Sequence, residues 1–196
     1  MAIPPSPATS WSELDTAAKR ARLLAAAGEV FARDGLDAPM PAIAAAAGAG
    51  VGSVYRQFPA KRDLLAALVV ERHKVVEAEV EVALASPLGP WAALQELLWA
   101  IAERQAADDV LAEAMACLSE DPGVQEAMAR TMHSLEGLLD AAKAEGRLRP
   151  DATALDLRLL FASTRAARAL DPAAWRRMLE LGIDALAAEG QRPAGR

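Results

Sequence analysis

The sequence has 196 residues, of which 53% are hydrophobic but only 4% aromatic, so its core must be built mainly from Ala, Leu and Val. A single cysteine excludes an internal disulfide, and no apolar run approaches the roughly 18 residues of a membrane span, which favours the reducing cytoplasm and no membrane partner. The formal net charge is -6, yet residues 1–62 contain seven Lys/Arg against five Asp/Glu. The positive end is therefore the N-terminal one, as a phosphate-binding module requires.

The first helix is predicted after a proline-rich lead. Met1 to Ser10 contains three prolines and no periodicity, so residues 1–12 are expected to be disordered. Over residues 14–34 the apolar positions recur at helical spacing and Gly35 supplies a stop. The stripe consists of Leu23, Leu24, Ala27, Val30 and Phe31.

Two short helices follow, separated by glycines. Pro39 and Pro41 suit the first turn of a helix, where the N–H groups have no partner, and this helix runs through Ile43 to Ala47. Gly48-Ala49-Gly50 ends it, and Val51 to Phe58 forms the next. Two helices of two turns joined by a glycine-bearing turn predict a helix-turn-helix domain over residues 13–60.

The rest of the chain predicts longer helices, and strand signals are nearly absent. The Asp-Pro pairs at 121–122 and 171–172 suit an N-cap followed by a first turn. The fold class is therefore all-α with about nine helices, with a helical C-terminal domain over residues 61–189 and a frayed tail over 190–196. The predicted C-terminal helices span residues 60–85, 90–107, 109–118, 122–145, 152–170 and 173–189.

The last two helices are apolar on more than one side, which predicts burial on both. In the first of them Leu155 and Leu159 lie on one stripe, with Ala162 and Ala166, while a second stripe contains Leu157, Leu160, Phe161 and Ala167. Intramolecular packing covers one stripe, and a second subunit is expected to cover the other. These two helices therefore predict a homodimer.

The segment IAAAAGAGVGSVYRQFPAKRDLL, from Ile43 to Leu65, resembles the helix-turn-helix of the TetR/AcrR family of repressors. The specific resemblance covers residues 14–68. It implies an all-α homodimer that binds double-stranded operator DNA through its N-terminal helices and senses a small molecule with its C-terminal part. The segment departs from the family at Gly50, Gln57 and the run from Pro39 to Pro41, which leaves the operator sequence open.

The second short helix is the predicted recognition helix. Its spacing turns Val54 and Phe58 inward, while Val51 and Gly52 allow close approach to the groove and to a thymine methyl. The resemblance implies phosphate contacts and base-edge contacts for its polar residues. Ser53, Tyr55 and Lys61 would bind phosphates, and Arg56 and Gln57 would lie at base edges. Lys19, Arg20 and Arg22 either flank the DNA backbone or form a solvated face.

The middle helices contain the residues expected to sense an effector. Each is a core residue when considered singly, but together they offer apolar walls, adaptable Met side chains and one polar tip. An apolar or aromatic effector is the prediction. The predicted ligand-binding set is Trp91, Trp99, Met115, Met128, Met132 and His133.

Other signals are interpreted structurally. Gly48 to Gly52 follows no strand and lacks a Gly-Lys-Ser/Thr ending, so no nucleotide site is predicted. His73 and Glu77 are four apart on a helix, but further metal ligands are missing nearby, so a surface pair is expected. Cys117 is expected to be a small buried hydrophobe rather than a redox sensor. No metal or cofactor is predicted.

The leading hypothesis is a repressor that a small, largely apolar ligand releases from its operator. One alternative is an all-α hydrolase or isomerase with His133 or His73 as base, although no nucleophile, base and orienting group stand at a suitable spacing. Another is a helical interaction protein that has kept the fold without operator binding.

Overall fold

The structure is a computed structural model that describes residues 10–188, except for the side chains of residues 109, 111 and 112. In this range it is all-helical, with an isolated antiparallel bridge between Leu148 and Ala187 and no strand. No helix within it is long and apolar enough to cross a membrane. The nine helices are α1 (Thr16–Asp34), α2 (Met40–Ala47), α3 (Val51–Gln57), α4 (Lys61–Leu84), α5 (Pro90–Ala107), α6 (Asp109–Cys117), α7 (Pro122–Ala144), α8 (Ala154–Arg168) and α9 (Ala174–Leu186).

The ends of α1 are set by local chemistry. The Asp15 side chain accepts a hydrogen bond from the Ala18 backbone N–H at 2.7 Å, which satisfies one of the free donors of the first turn. At the other end Gly35 has φ 80°, a region that favours glycine, and its N–H donates to the Phe31 carbonyl at 2.8 Å. The predicted stop at Gly35 is confirmed.

The turn between α2 and α3 depends on Gly48. Gly48 ends α2 in the left-handed conformation, with φ 65°. The two helices pack in one buried cluster that contains Ile43 of α2, Val54 of α3 and Phe58 directly after α3. Because α3 has only seven residues, this packing rather than helix propensity holds it in place. The predicted helix-turn-helix is confirmed.

The described residues form two compact units, each built from two separate segments of the chain. The N-terminal unit contains residues 10–71 and 108–125, and the C-terminal unit contains residues 72–107 and 126–188. This division differs from the predicted boundary at residue 60, because α6 packs with the N-terminal helices. In that unit Ala114 and Leu118 of α6 form a buried cluster with Val69 of α4. Helical periodicity indicates that α6 exists but not which core it joins.

In the C-terminal unit α8 and α9 pack closely. The two predicted stripes of α8 separate as expected, because Leu157 and Leu160 are buried whereas Leu155 and Leu159 are each 57% exposed. The close approach depends on Gly182 of α9, where an added Cβ would lie only 2.2 Å from Leu160 Cδ1. The pair thus forms one packed layer in which Leu155 and Leu159 remain exposed.

The start of the described chain corrects one prediction. Residues 10–12 were expected to be disordered, but Trp11–Glu13 forms one turn of 3-10 helix. The Ser10 backbone N–H donates to the Glu13 carboxylate at 3.0 Å, which holds the turn together. The rest of the predicted lead, residues 1–9, and the predicted tail, residues 190–196, lie outside the described residues.

Candidate functional site

Helix α3 presents a face of exposed side chains that its packing does not require. Val51 is 40% exposed and Tyr55 45%, although both are large and apolar enough to be buried. Gly52 and Arg56 are also exposed, and Ser53 and Gln57 are half-buried on the flanks. The residues predicted to contact DNA on α3 thus share one outer surface.

Two polar side chains of this surface, Arg56 and Ser53, are joined by a hydrogen bond. Arg56 Nη2 donates a hydrogen bond to Ser53 Oγ, one turn earlier on α3, at 3.0 Å. An added Cβ at Gly52 would lie 3.9 Å from Arg56 Nη1, so the guanidinium extends back along the helix over the glycine. A planar donor group held at the surface is suited to binding oxygen or nitrogen acceptors.

Lys61, at the first position of α4, has a partner inside the N-terminal unit. Its Nζ donates to the Leu36 carbonyl at 2.8 Å and the residue is half-buried. This contact ties the start of α4 to the loop after α1. An ammonium has three donors, so the contact leaves donors for the phosphate that the family resemblance assigns to Lys61.

The cationic residues of α1 lie near the helix-turn-helix. The Arg20 guanidinium stacks 4.7 Å from the centre of the Phe58 ring, directly after α3. The Arg22 guanidinium passes Gly48, where an added Cβ would lie 3.4 Å from its Nη2. These contacts place two cations of α1 beside the turn and the end of α3, and Lys19 is half-buried on the same helix.

The residues predicted to bind an effector are not brought together as one site. Trp91 is buried in the C-terminal core, and Trp99 and Met132 pack half-buried against that core. Met128 is half-buried on α7. Met115 belongs instead to the N-terminal unit, where it packs against the α6 cluster.

Two further expectations about these helices are wrong. His133 lies on the outer face of α7, where its side chain is 89% exposed and its Nδ1 is 3.6 Å from Glu136 Oε2. It does not supply a polar tip inside the C-terminal unit. Cys117 is exposed at the end of α6 rather than buried, because the apolar side of this helix is formed by Ala114 and Leu118.

His73 is buried in the C-terminal unit, which corrects the expected surface pair with Glu77. His73 on α4 is only 7% exposed, and its Nδ1 is 3.0 Å from Thr131 Oγ1 on α7. The Thr131 hydroxyl in turn lies 3.2 Å from Glu77 Oε1, and Arg130 is 3.8 Å from the same carboxylate oxygen. Because Thr131 stands 58 residues from His73, no spacing in the sequence indicates this cluster.

The charges around His73 act in opposite directions. Burial lowers the pKa of His73, the Glu77 carboxylate raises it, and the Arg130 guanidinium lowers it, with a net decrease. Since the charged form of a histidine is disfavoured where water is excluded, His73 is held neutral at neutral pH. The cluster joins α4 and α7 through one hydrogen bond between the His73 imidazole and Thr131 and a second from the Thr131 hydroxyl to Glu77.

The His73 cluster has neither the geometry of a catalytic triad nor that of a metal site. In a triad the imidazole stands between the nucleophile and an orienting carboxylate, whereas here the Thr131 hydroxyl stands between His73 and Glu77. Thr131 is also only 3% exposed, which keeps a substrate away from its hydroxyl. Throughout residues 10–188, no three His, Cys, Asp or Glu side chains are grouped as metal ligands.

Two family models match the sequence. Residues 23–68 match the model described as bacterial regulatory proteins of the tetR family. Residues 89–188 match the model described as the C-terminal domain of SbtR-like transcriptional regulators. The second match alone covers half of the chain, and it begins after α4. No protein with a curated description matches the sequence.

Solved structures agree with this assignment. A TetR transcriptional regulator from Streptomyces coelicolor is 29% identical, with a TM-score of 0.68 over 87% of this chain and 99% of that one. A TetR transcription regulatory protein from Mycobacterium vanbaalenii is 31% identical, with a TM-score of 0.64 over 87% of this chain and 95% of that one. A TetR-family repressor from Thermus thermophilus, solved in complex with lauroyl-CoA, shares the fold at 22% identity, with a TM-score of 0.61 over 90% and 100%.

The family models cover the helix-turn-helix and the C-terminal helices separately, and the structural matches span both. The packing of α2 and α3 and the outward face of α3 agree with that assignment. This chain belongs to the TetR family of bacterial transcriptional regulators.

Proposed function

We propose that the chain is a repressor that binds a specific operator as a homodimer and is released from it by a small, largely apolar ligand. The observation that carries the proposal is the outer face of α3, where Val51 and Tyr55 stay exposed beside polar side chains while Val54 is fully buried. A short helix that buries one side and exposes the other fits the major groove. The residues proposed to face DNA are Val51, Gly52, Ser53, Tyr55, Arg56, Gln57 and Lys61.

Dimerisation is supported by the outer surface of α8 and α9. Leu155 and Leu159 of α8 and Leu181 of α9 are exposed by 57%, 57% and 45%. A groove between these helices is lined by Leu159, Ser163 and Met178 and, at one end, by Arg149, Asp151 and Asp156. Large apolar side chains exposed on two neighbouring helices are typical of a protein interface. A two-fold dimer would present two recognition helices, which operators match with half-sites about 34 Å apart.

An apolar effector is supported by half-buried aromatic and Met side chains on the C-terminal core. Trp99 of α5 packs edge-to-face with Trp175 of α9, their ring centres 6.0 Å apart, and Met132 and Phe161 pack against the same core. Rings and thioethers of this kind adapt to apolar ligands. The Thermus thermophilus repressor binds a fatty-acyl ligand, but at 22% identity its likeness is one of fold.

Helix α4 provides a route from the effector to the DNA. It is continuous from Lys61 to Leu84 and contributes residues to both compact units. A ligand that binds one tilt of α4 more tightly than another shifts the population of that tilt. Because α3 is followed directly by α4, the shift would change the spacing of the two recognition helices.

The test of operator binding is selection of DNA by the purified full-length protein from a random duplex library. Repeated rounds are expected to enrich a two-fold symmetric sequence that is bound at least about a thousandfold more tightly than scrambled DNA. Equal affinity for all sequences, which disappears as salt is raised, would reduce the proposal to non-specific phosphate binding. No binding by a folded protein would favour an interaction protein that has kept the fold.

The effector is tested on the enriched operator with straight-chain carboxylic acids and substituted benzenes of graded size. At least one is expected to release the protein from DNA, and Trp99→Ala should weaken the response because it removes a half-buried aromatic ring from the C-terminal core. Leu88→Ala, at an exposed position between α4 and α5, is the control and should respond as the wild type does. If no compound changes operator affinity, the effector is not of this class.

A further inference from the structure

We propose that Arg56 reads a guanine in the major groove of the operator and that Ser53 positions its guanidinium for this contact. The inference rests on the operator binding proposed above and identifies the base that the site takes. It also changes the role of Ser53, to which the family resemblance assigns a phosphate. A positioning residue affects recognition of one base pair, whereas a phosphate contact affects all sequences alike.

The direction of the Arg56 side chain suits this contact. Its Nη2 donates to Ser53 Oγ at 3.0 Å, and its Nη1 lies near Gly52, where an added Cβ would be only 3.9 Å away. The guanidinium is therefore held along the outer face of α3 instead of extending freely into solvent. An arginine loses side-chain entropy when it binds. Because Ser53 already holds the Arg56 guanidinium, less of this entropy is lost on binding DNA.

The charge of Arg56 also suits this contact. Within the described part of the chain, Arg56 forms no ion pair with a carboxylate, whereas Arg33, Arg130 and Arg177 each do. Arg56 is thus exposed with its charge uncompensated by an acidic side chain. The arrangement suits a ligand that brings its own negative potential, as the groove of DNA does.

The hydrogen-bond donors of Arg56 match the acceptors of one base. A guanidinium has five N–H donors and no acceptor, and the bond to Ser53 uses one donor on Nη2. The remaining donors can bind two acceptors side by side. In the major groove guanine presents two acceptors, N7 and O6, whereas adenine presents one acceptor and one donor, thymine one acceptor and cytosine a donor. Guanine is therefore the base whose acceptors match the free donors of the Arg56 guanidinium.

The experiment scans the enriched operator base pair by base pair with full-length protein at fixed salt. Wild-type protein is expected to lose about ten- to a hundredfold in affinity when one particular G·C pair is replaced. Arg56→Ala should abolish the preference at that pair while keeping the preferences at other positions. Arg62→Ala removes an exposed cation at the start of α4 and is the control, which should keep the preference.

The positioning role is tested with two substitutions at residue 53. Ser53→Ala should reduce discrimination at the same G·C pair, and Ser53→Thr, which keeps the hydroxyl, should restore it. If Ser53→Ala instead weakens binding to every sequence by one factor, Ser53 binds a phosphate and the inference is wrong. The inference also fails if Arg56→Ala alters no single base preference. Failure of operator binding as such is recognised separately, because no sequence is then enriched.

Discussion

At the scale of single residues, His73 gives the protein a predictable response to acid. Its pKa is lowered from the ordinary value of 6.5, chiefly by burial, so the unfolded chain takes up a proton more readily than the folded one. The stabilising contribution is complete above pH 6.5 and decreases as the pH falls below that value. We expect the free energy of unfolding to decrease in this direction, as measured by urea titration at a series of pH values.

The contribution of His73 can be isolated because the chain has only two histidines. His73→Asn keeps a polar group near Thr131 without the titration and should flatten the dependence below pH 6.5. His133→Asn, at an 89% exposed side chain, is the matched control and should keep it. An unchanged pH dependence in His73→Asn would mean that other groups, such as paired carboxylates, cause it.

The residue scale also marks the limit of what sequence can predict. Val54 and Phe58 were correctly placed inward, because helical spacing fixes which side chains share a face. The burial of His73 was missed because its partner Thr131 belongs to a helix far along the chain. Cys117 was misplaced for a related reason, since α6 has other apolar residues to bury.

At the scale of elements, the approach of α8 and α9 depends on the missing side chain of Gly182. A Cβ there would lie 2.2 Å from Leu160 Cδ1 and 3.2 Å from its Cγ, and Leu160 is itself buried. Gly182→Ala is therefore expected to destabilise the protein by about 1–3 kcal/mol, the usual cost of an overpacked core. Thermal and urea unfolding measure the effect.

Gly137 offers the matched control for this change. It lies inside α7, and an added Cβ would meet nothing within 4 Å. Gly137→Ala should stabilise the protein by about 0.5–1 kcal/mol, because alanine loses less backbone entropy in a helix. If Gly182→Ala and Gly137→Ala changed the free energy of unfolding equally, helix propensity rather than packing against Leu160 would explain the effect of Gly182→Ala.

The helices themselves were largely predictable from local signals. Gly35 and Gly48 end α1 and α2 in conformations that favour glycine, and Asp121 caps α7 by accepting the Val124 N–H at 3.2 Å. Such signals act within a few residues and can be read directly. The membership of α6 in the N-terminal unit could not be predicted, since it depends on contacts with α1 and α4.

At the scale of the whole molecule, the proposed homodimer depends on the outer face of α8. Leu159→Glu would place an unpaired charge in the interface, which costs several kcal/mol when water is excluded. We expect the variant to be a folded monomer in light scattering and to bind operator DNA far more weakly. Leu88→Glu is the matched control, because Leu88 is also 57% exposed but lies between α4 and α5. A dimeric Leu159→Glu protein would place the interface elsewhere.

The most direct test of the whole account compares affinity for the selected operator with affinity for a scrambled duplex of equal length, at two salt concentrations. We predict that the wild type prefers the operator by about a thousandfold or more and that Tyr55→Ala, which removes a phosphate contact from the exposed face of α3, binds the operator more weakly than the wild type does. Val82→Ala, at a 73% exposed position on α4, should bind as the wild type does. Wild-type operator affinity in Tyr55→Ala would contradict the account, because DNA would then be bound by a surface other than the exposed face of α3.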